Sequence, residues 1–442
     1  MHITVIGTGY VGLVAGAGLA DFGMHVICID KDKAKIDSLE KGEIPFYEPG
    51  LKELVDRNVQ NGRLTFSTEL APAIKQSLVI FIAVGTPSDG QGGVDLTYVK
   101  AVAEELGELV DEYKVVVTKS TVPVGTNRWI QEIINNKTPS DIKIDIVSNP
   151  EFLREGAAVE DFMRPNRVVL GSESQQALAI VKDIYRPLYL IETPFVITGL
   201  ETAEMIKYAS NAFLATKISF INEVANLCEA VGADVHQVAK AMGLDKRIGP
   251  KFLHPGPGFG GSCFPKDTEA MARLGQDYQS PMRIVETVIE VNHAQKMRMV
   301  DKIENALGDL TSKKIAILGL SFKPNTSDVR ESPAITIIGE LLARKAKVAA
   351  YDPAAMEEFK RIFPEGKIEY KTGPYEAAEG ADALVVVTEW NEFRNLDLNR
   401  IKKSLNQPVL IDLRNIYDPR RMKELGFDYS SVGRPLKALQ QH

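Results

Sequence analysis

HITVIGTGYVG, residues His2–Gly12, decides the fold. A β-branched apolar run from Ile3 to Ile6 passes straight into glycines at 7, 9 and 12, and a helical pattern follows. Such a run suits a strand. The glycines permit a tight turn, close approach of a phosphate to the backbone, and close packing of the next helix on the strand. That helix would start with its N–H groups facing a bound anion. A lone GxGxxG is a weak signal, but here the context fits. Asp30 ends the next apolar run, HVICID, 18 residues beyond Gly12. A carboxylate there accepts hydrogen bonds from ribose hydroxyls and repels a 2′-phosphate, so NAD is expected over NADP. Lys31 and Lys33 weaken that exclusion slightly. Cofactor contacts are expected at Gly7, Gly9, Tyr10, Val11, Gly12 and Asp30; the alternative is a glycine turn with no ligand.

Outward from this stretch the pattern repeats. LVIFIAVG from Leu78, KVVVTKS from Lys114 and IDIVSNP from Ile144 are continuous apolar runs, with helical periodicity between them, as from Asp95 to Val110. Strands of this kind belong to a parallel sheet covered by helices on both faces. From Gly199 the pattern changes to one long amphipathic helix ending near Gly232, and helical sequence continues to about Leu307. A second α/β unit begins at Lys314 with KIAILG and continues through KVAAYDP, ALVVVTEW and PVLIDLRN. Its Gly319 is followed by Ser-Phe-Lys-Pro, so the fingerprint is broken there. The expected architecture is two Rossmann-like, doubly wound parallel-sheet domains, 1–198 and 308–442, joined by a helical segment, 199–307.

The chain has 442 residues, 44% hydrophobic and 25% charged, so each part can bury a core without staples. A net charge of −7 argues against nucleic acid but leaves room for a small anionic ligand at helix ends. Three scattered cysteines and six histidines form neither a disulfide framework nor a metal-ligand spacing, so no metal is expected. Neither a secretory leader nor an apolar run of membrane-spanning length stands out, which suggests a cytosolic protein with reduced thiols.

Chemistry concentrates at two places. PGPGFGGSCFPKD, Pro255–Asp267, sets Cys263 at the end of a glycine-rich loop beside Lys266 and Asp267. A reactive cysteine needs access and a cationic or helix-terminal setting. Cys28, inside a strand run, and Cys228, on the long helix, read as small buried hydrophobes; an incidental loop cysteine is the bland alternative for Cys263. On the long helix Glu204, Lys207 and Asn211 share one face, a polar interruption of an apolar helix that suggests a buried polar site.

GTGYVG, STVPVGT from Ser120, SNPEFLREG from Ser148, EMIKYASNAF from Glu204, GFGGSCFPKD from Gly258 and FKPNTSDVRES from Phe322 together resemble the UDP-glucose/GDP-mannose dehydrogenase family, in family order and over nearly the whole chain. The cysteine loop resembles the UDP-glucose branch most. The resemblance implies NAD-dependent four-electron oxidation of UDP-glucose at C6 to UDP-glucuronate, with Cys263 as nucleophile, through a thiohemiacetal and a thioester. It makes Lys207 the oxyanion stabiliser, assisted by Asn211. Asp267 and Glu151 would activate water, and Thr121 would hold that water or contact the nicotinamide side. It implies substrate contacts at Glu151, Phe152, Leu153, Arg154, Glu155, Lys207 and Asn211. Phe252, Leu253, His254, Pro255, Gly256, Gly260, Lys323 and Arg414 join them, His254 without a catalytic role. Lys35, Thr86, Thr121, Glu155, Lys266 and Arg330 match cofactor-contacting positions, and the C-terminal domain would bind the UDP-sugar. Arg247 matches an arginine that reaches a neighbouring subunit's substrate, which implies a homodimer on the long helices. The rival readings are a sibling dehydrogenase for GDP-mannose or an N-acetylated UDP-hexose, and a non-catalytic NAD-responsive binding protein. The second would need the fingerprint but not the thiol, lysine and asparagine together.

Overall fold

The computed structural model describes residues 1–435, and its backbone divides into two compact units, Met1–Ser210 and Asn211 to the C-terminus. The first unit carries strands β1 (His2–Ile6), β2 (His25–Ile29), β3 (Leu64–Ser67), β4 (Val79–Ile82), β5 (Lys114–Thr118), β6 (Ile144–Ser148), β7 (Val168–Gly171) and β8 (Phe195–Thr198). They form one sheet in the order β3-β2-β1-β4-β5-β6-β7-β8. The first six follow the dinucleotide-fold order, parallel throughout. The sheet turns antiparallel only at the β6–β7 junction, through Ser148 and Gly171. Alternation along each strand splits the core between the two faces. Ile3, Val5, Val79 and Phe81 pack on one side, and Ile6, Ile80 and Ile82 on the other. Burial on both faces is why these strands read as unbroken apolar runs.

The second unit repeats the plan. Strands β9 (Lys314–Leu318), β10 (Lys347–Tyr351), β11 (Glu369–Tyr370), β12 (Ala383–Val386), β13 (Val409–Asp412) and β14 (Asp428–Ser431) lie in the order β11-β10-β9-β12-β13-β14, all parallel. Ile315 and Ile317 face one core, Ala316 and Leu318 the other.

The helix Leu200–Val231 runs for 32 residues and stops before Gly232, whose φ of +79° an L side chain would resist. In the second unit its Ile221 and Ala225 join the core that Met299, Val300 and Ile303 of the helix Arg283–Leu307 also fill. No helix among the described residues is long and apolar enough to cross a membrane.

Candidate functional site

The turn after β1 is built for a close-lying ligand. Gly7 has φ of +102°, and a Cβ there would lie 2.7 Å from the Ala83 carbonyl oxygen. A Cβ on Gly12 would meet the Gly7 carbonyl oxygen at 1.9 Å, so helix and turn touch through backbone alone. Gly9 caps the helix Tyr10–Asp21 without a side chain and faces open space. No acidic residue occupies that helix's first turn, which leaves its N–H groups and dipole for an anion. Asp30, at the end of β2, accepts from Thr8 N at 3.0 Å, Thr8 Oγ1 at 2.8 Å and Lys35 Nζ at 3.1 Å. Burial alone would push its carboxyl up, but the Thr8 and Asp32 N–H groups, the Thr8 hydroxyl and Lys35 together hold it below the usual carboxylate range. These residues fit a dinucleotide: the turn at Gly9 would hold its pyrophosphate and Asp30 would accept from its ribose hydroxyls.

Asp352 holds the matching place in the second unit, just after β10. It is 1% exposed and already accepts from Leu320 N at 2.7 Å, Ser321 N at 3.0 Å and Trp390 Nε1 at 3.1 Å. The turn and the indole use up this carboxylate, so no ribose reaches it. The broken fingerprint after Gly319 has its physical counterpart here.

Two buried polar clusters follow, one in each unit. In the first, the loop after β6 carries Glu151, which is 5% exposed and accepts from Lys207 Nζ at 2.9 Å and Leu153 N at 2.6 Å. Burial raises its carboxyl, but Lys207, the Leu153 N–H and Lys119 outweigh that and hold it ionised, below the ordinary range. The Lys207 ammonium also lies 5.4 Å from the centre of the Phe152 ring. Arg154 is engaged with Asp161 at 2.6 Å, and Thr86 donates to the Thr121 carbonyl at 2.9 Å. Tyr10 hydrogen-bonds Glu48, and its hydroxyl also accepts from Gly156 N at 2.9 Å, tying the glycine turn to the Glu151–Glu155 loop. Glu204, one helical turn before Lys207, leaves this cluster. It accepts from Gly125 N at 2.7 Å and Asn127 N at 2.8 Å, so it caps the helix Thr126–Lys137. The shared helical face therefore splits: Glu204 caps a neighbouring helix, whereas Lys207 pairs with Glu151.

In the second unit Cys263 is the N-cap of the helix Phe264–Asp277, which has Pro265 in its first turn. The thiol, which the sequence reading sets at the end of a glycine-rich loop, thus sits where a helix presents its partial positive charge, a setting that favours thiolate. The fully buried Asp267, in that helix's first turn, accepts from Asn211 Nδ2 at 2.6 Å and Lys266 Nζ at 2.7 Å. Cys28 and Cys228 differ sharply from Cys263. Burial pushes the Cys28 thiol up to about 12 and raises Cys228 as well, so both stay inert.

Side chains from two helices fix the loop before Cys263. Asn222 accepts from Gly256 N at 2.8 Å, and Gln295 donates to the Gly256 carbonyl at 2.9 Å. Asn292 bonds both Phe259 N and Phe259 O, at 2.8 and 3.0 Å. A Cβ on Gly260 would strike the Glu331 carbonyl at 2.2 Å, and Gly261 needs φ of +85°. Arg414, with Nη1 3.2 Å from a Cβ built on Gly256, donates to the Val387 carbonyl at 2.8 Å. Leu253, Pro255 and Gly256 are buried; Phe252, at φ of +64°, is half-buried and His254 exposed. Lys323 Nζ lies 5.4 Å from the Phe322 ring centre. Arg330 chelates Asp328 through Nη2 at 2.7 Å, and Arg247, its side chain 89% exposed, rests on Asp245 at 2.6 Å. Sequence reasoning missed Lys119, Asn149 and the amides 222, 292 and 295, because isolated polar residues in helices and strand ends give no local signal.

Three models of one family match the chain in succession: the UDP-glucose/GDP-mannose dehydrogenase family NAD binding domain over 1–189, its central domain over 201–294 and its UDP binding domain over 316–419. A UDP-glucose 6-dehydrogenase of Rhizobium meliloti is 53% identical over 98% of this chain and 100% of its own length. One from Bacillus subtilis is 50% identical over 98% of this chain and 93% of its own. Among solved structures, a UDP-glucose dehydrogenase from Pyrobaculum islandicum superposes with a TM-score of 0.91 at 36% identity, covering 98% of both chains.

Proposed function

Because this chain belongs to the UDP-glucose/GDP-mannose dehydrogenase family, we propose that it oxidises the C6 alcohol of UDP-glucose to the carboxylate of UDP-glucuronate, with NAD as acceptor. Cys263 at a helix N-cap is the observation that carries the reading. NAD, held by the glycine turn at residues 7–12 and Asp30, would supply the hydride acceptor for both oxidations. Lys207 holds the charge that develops on the C6 oxygen, and its ion pair with Glu151 positions it. Asn211 and Asp267 act as one hydrogen-bonded unit beside the cysteine's helix. The Cys263 thiolate adds to the aldehyde, and the thiohemiacetal is oxidised to a thioester. Water, activated at Glu151 with help from Asp267 and positioned by Thr121, hydrolyses it. The long helix and the cysteine loop, within 199–307, form the central segment between a cofactor domain, 1–198, and a UDP-sugar domain, 308–442. Purified protein with NAD and a panel of nucleotide sugars tests the reading. Two NADH per UDP-glucose is expected, and activity confined to GDP-mannose or N-acetylated hexoses would overturn it.

At Asp30, Ala should raise the KM for NAD about 10- to 100-fold, the scale of a lost hydrogen bond to a charged group. It should also admit NADP, and unchanged NAD kinetics would remove Asp30 from the ribose.

The protein is proposed to act in the cytosol as a homodimer built on the long helix. Phe213, Phe220, Leu227 and Val231 stay 66%, 49%, 62% and 68% exposed along it, an apolar stripe at near-heptad spacing. Arg247, exposed with its guanidinium resting on Asp245, would serve the partner's substrate. Arg247→Ala is expected to raise the KM for UDP-glucose about tenfold or more. Verified heterodimers of Arg247→Ala with Cys263→Ala subunits should recover one intact site; none recovered would refute the sharing.

A further inference from the structure

Behind Glu151 lies a cavity of about 50 Å³, wholly within the first unit, with Lys119, Asn149, Glu151, Phe152, Arg167 and Tyr185 among its walls. Space of this kind holds a water once it exceeds roughly 10–15 Å³ and offers two to four polar partners. Lys119 follows β5 directly and is 5% exposed. Its Nζ donates to Asn149 Oδ1 at 3.2 Å, and the Tyr185 hydroxyl donates to the same oxygen at 2.7 Å. Asn149 is itself fixed by Nδ2 donating to the Val169 carbonyl at 2.9 Å. Among the described residues no formal anion pairs with Lys119 at salt-bridge distance, whereas Lys207 already holds Glu151. A lysine so buried, without such a partner, is costly for a merely structural role.

We propose that this cavity is a water chamber serving the hydrolytic step, and that Lys119 is a positioning residue that takes the proton Glu151 collects there. The inference rests on the reading above. Water adds to the thioester carbonyl carbon and gives one proton to the Glu151 carboxylate. The C–S bond breaks, Cys263 leaves as thiolate, and the sugar is released as a carboxylic acid that ionises. A chamber water then passes the Glu151 proton to the neutral Lys119 amine, which becomes ammonium and releases it to solvent.

The charges suit that direction. Burial lowers Lys119 to about 8, against an ordinary 10.5, with Glu151 pulling it up and Lys207 pushing it down. A carboxyl held below its usual range therefore hands its proton downhill to an amine that sheds it near physiological pH. The groups facing Lys119 are Glu151 on the loop after β6, Lys207 on the long helix and Tyr185; Asp161 and Arg167 stand farther along the cavity wall. Burial raises the Tyr185 phenol, away from the range where Lys119 titrates, and lowers the Arg167 guanidinium.

The test uses the full-length enzyme with UDP-glucose and NAD. Lys119→Met should lower kcat about 10- to 100-fold, within the scale of a lost proton-transfer group, with both KM values nearly unchanged. Two NADH should form in the first turnover, while intact-mass spectrometry finds the glucuronyl adduct accumulating on Cys263. Wild-type kcat should rise through about pH 8, and the variant should lose that rise. Lys119→Arg keeps a buried cation but cannot release its proton in this range; it should be impaired as Lys119→Met is, whereas rescue by Arg would mean a structural charge and overturn the proposal. Fold integrity has its own readout. A folded-state amine lowered to about 8 costs stability below that pH, a cost relieved as pH rises towards 10.5, so Lys119→Met should melt higher than wild type at pH 7. Glu151→Gln separates the two levels. Adduct in Glu151→Gln but not in Lys119→Met rejects the relay alone, and adduct in neither rejects the thioester reading itself.

Discussion

Cys263→Ser should bind UDP-glucose and NAD normally yet turn over at least about 10³-fold more slowly, because a hydroxyl is hardly ionised where a thiol is partly so. The helix Phe264–Asp277 sharpens the contrast. Its N-terminal partial charge stabilises a thiolate at its N-cap, but it cannot bring a serine hydroxyl into the neutral range. On the proposed mechanism the first hydride transfer does not need the thiol, whereas the second needs a tetrahedral adduct on residue 263. Supplied with the C6 aldehyde, the variant should therefore remain severely impaired. A serine ester, if formed, would hydrolyse slowly and be visible by intact mass. Wild-type aldehyde oxidation by Cys263→Ser would delete the covalent step. Cys28→Ser and Cys228→Ser serve as controls, since both thiols are buried and should affect stability rather than rate.

Lys207→Met should cost both rate and stability. The ammonium is 3% exposed and 2.9 Å from Glu151. Removing an oxyanion donor costs about 10²–10³ in kcat. Removing one partner of a buried ion pair costs about 3–5 kcal/mol, because the other charge stays buried alone. The pH dependence follows in sign. Glu151 is held below its unfolded value, so its contribution to stability is present above the ordinary carboxylate range and lost as pH falls through the folded value. Without Lys207 that contribution should shrink, and acid unfolding should begin at higher pH. A Lys207→Met protein melting like wild type from pH 4 to 8 would contradict the buried pair.

The fold was legible where strands are long and buried on both faces. β1, β2, β4, β5 and β6 are apolar runs, the first two closed by Gly7 and Asp30, and GTGYVG fixes the first crossover. β3, β7, β8, β11 and β14 escaped notice. LTFS, EY and DYSS are short and partly polar, and in FVIT two of four residues are exposed. The site was legible where chemistry is local, in the glycine turn, Asp30 and the cysteine loop. Helical spacing rightly grouped Glu204, Lys207 and Asn211 as buried polar residues, yet periodicity says nothing about what lies opposite. Glu204 found the open N–H groups of a helix, Lys207 found a carboxylate, and Asn211 found Asp267. Pro265, two residues after Cys263, is a signal that could have placed the cysteine at a helix start. Lys119 carried none, since its burial depends on strands distant in sequence.

The saturated carboxylate of Asp352 has a kinetic consequence. The two units share a strand order, but only the first keeps a partly exposed carboxylate, Asp30, beside a glycine turn, so among the described residues one dinucleotide cleft is expected. Two successive oxidations must then share that cleft, which has to be emptied and refilled between them. A free aldehyde would have that whole interval in which to diffuse away. The proposed thiohemiacetal on Cys263 would remove the race: the half-oxidised sugar would wait on its tether while the cofactor is exchanged, and the overall rate would become sensitive to how fast spent cofactor leaves.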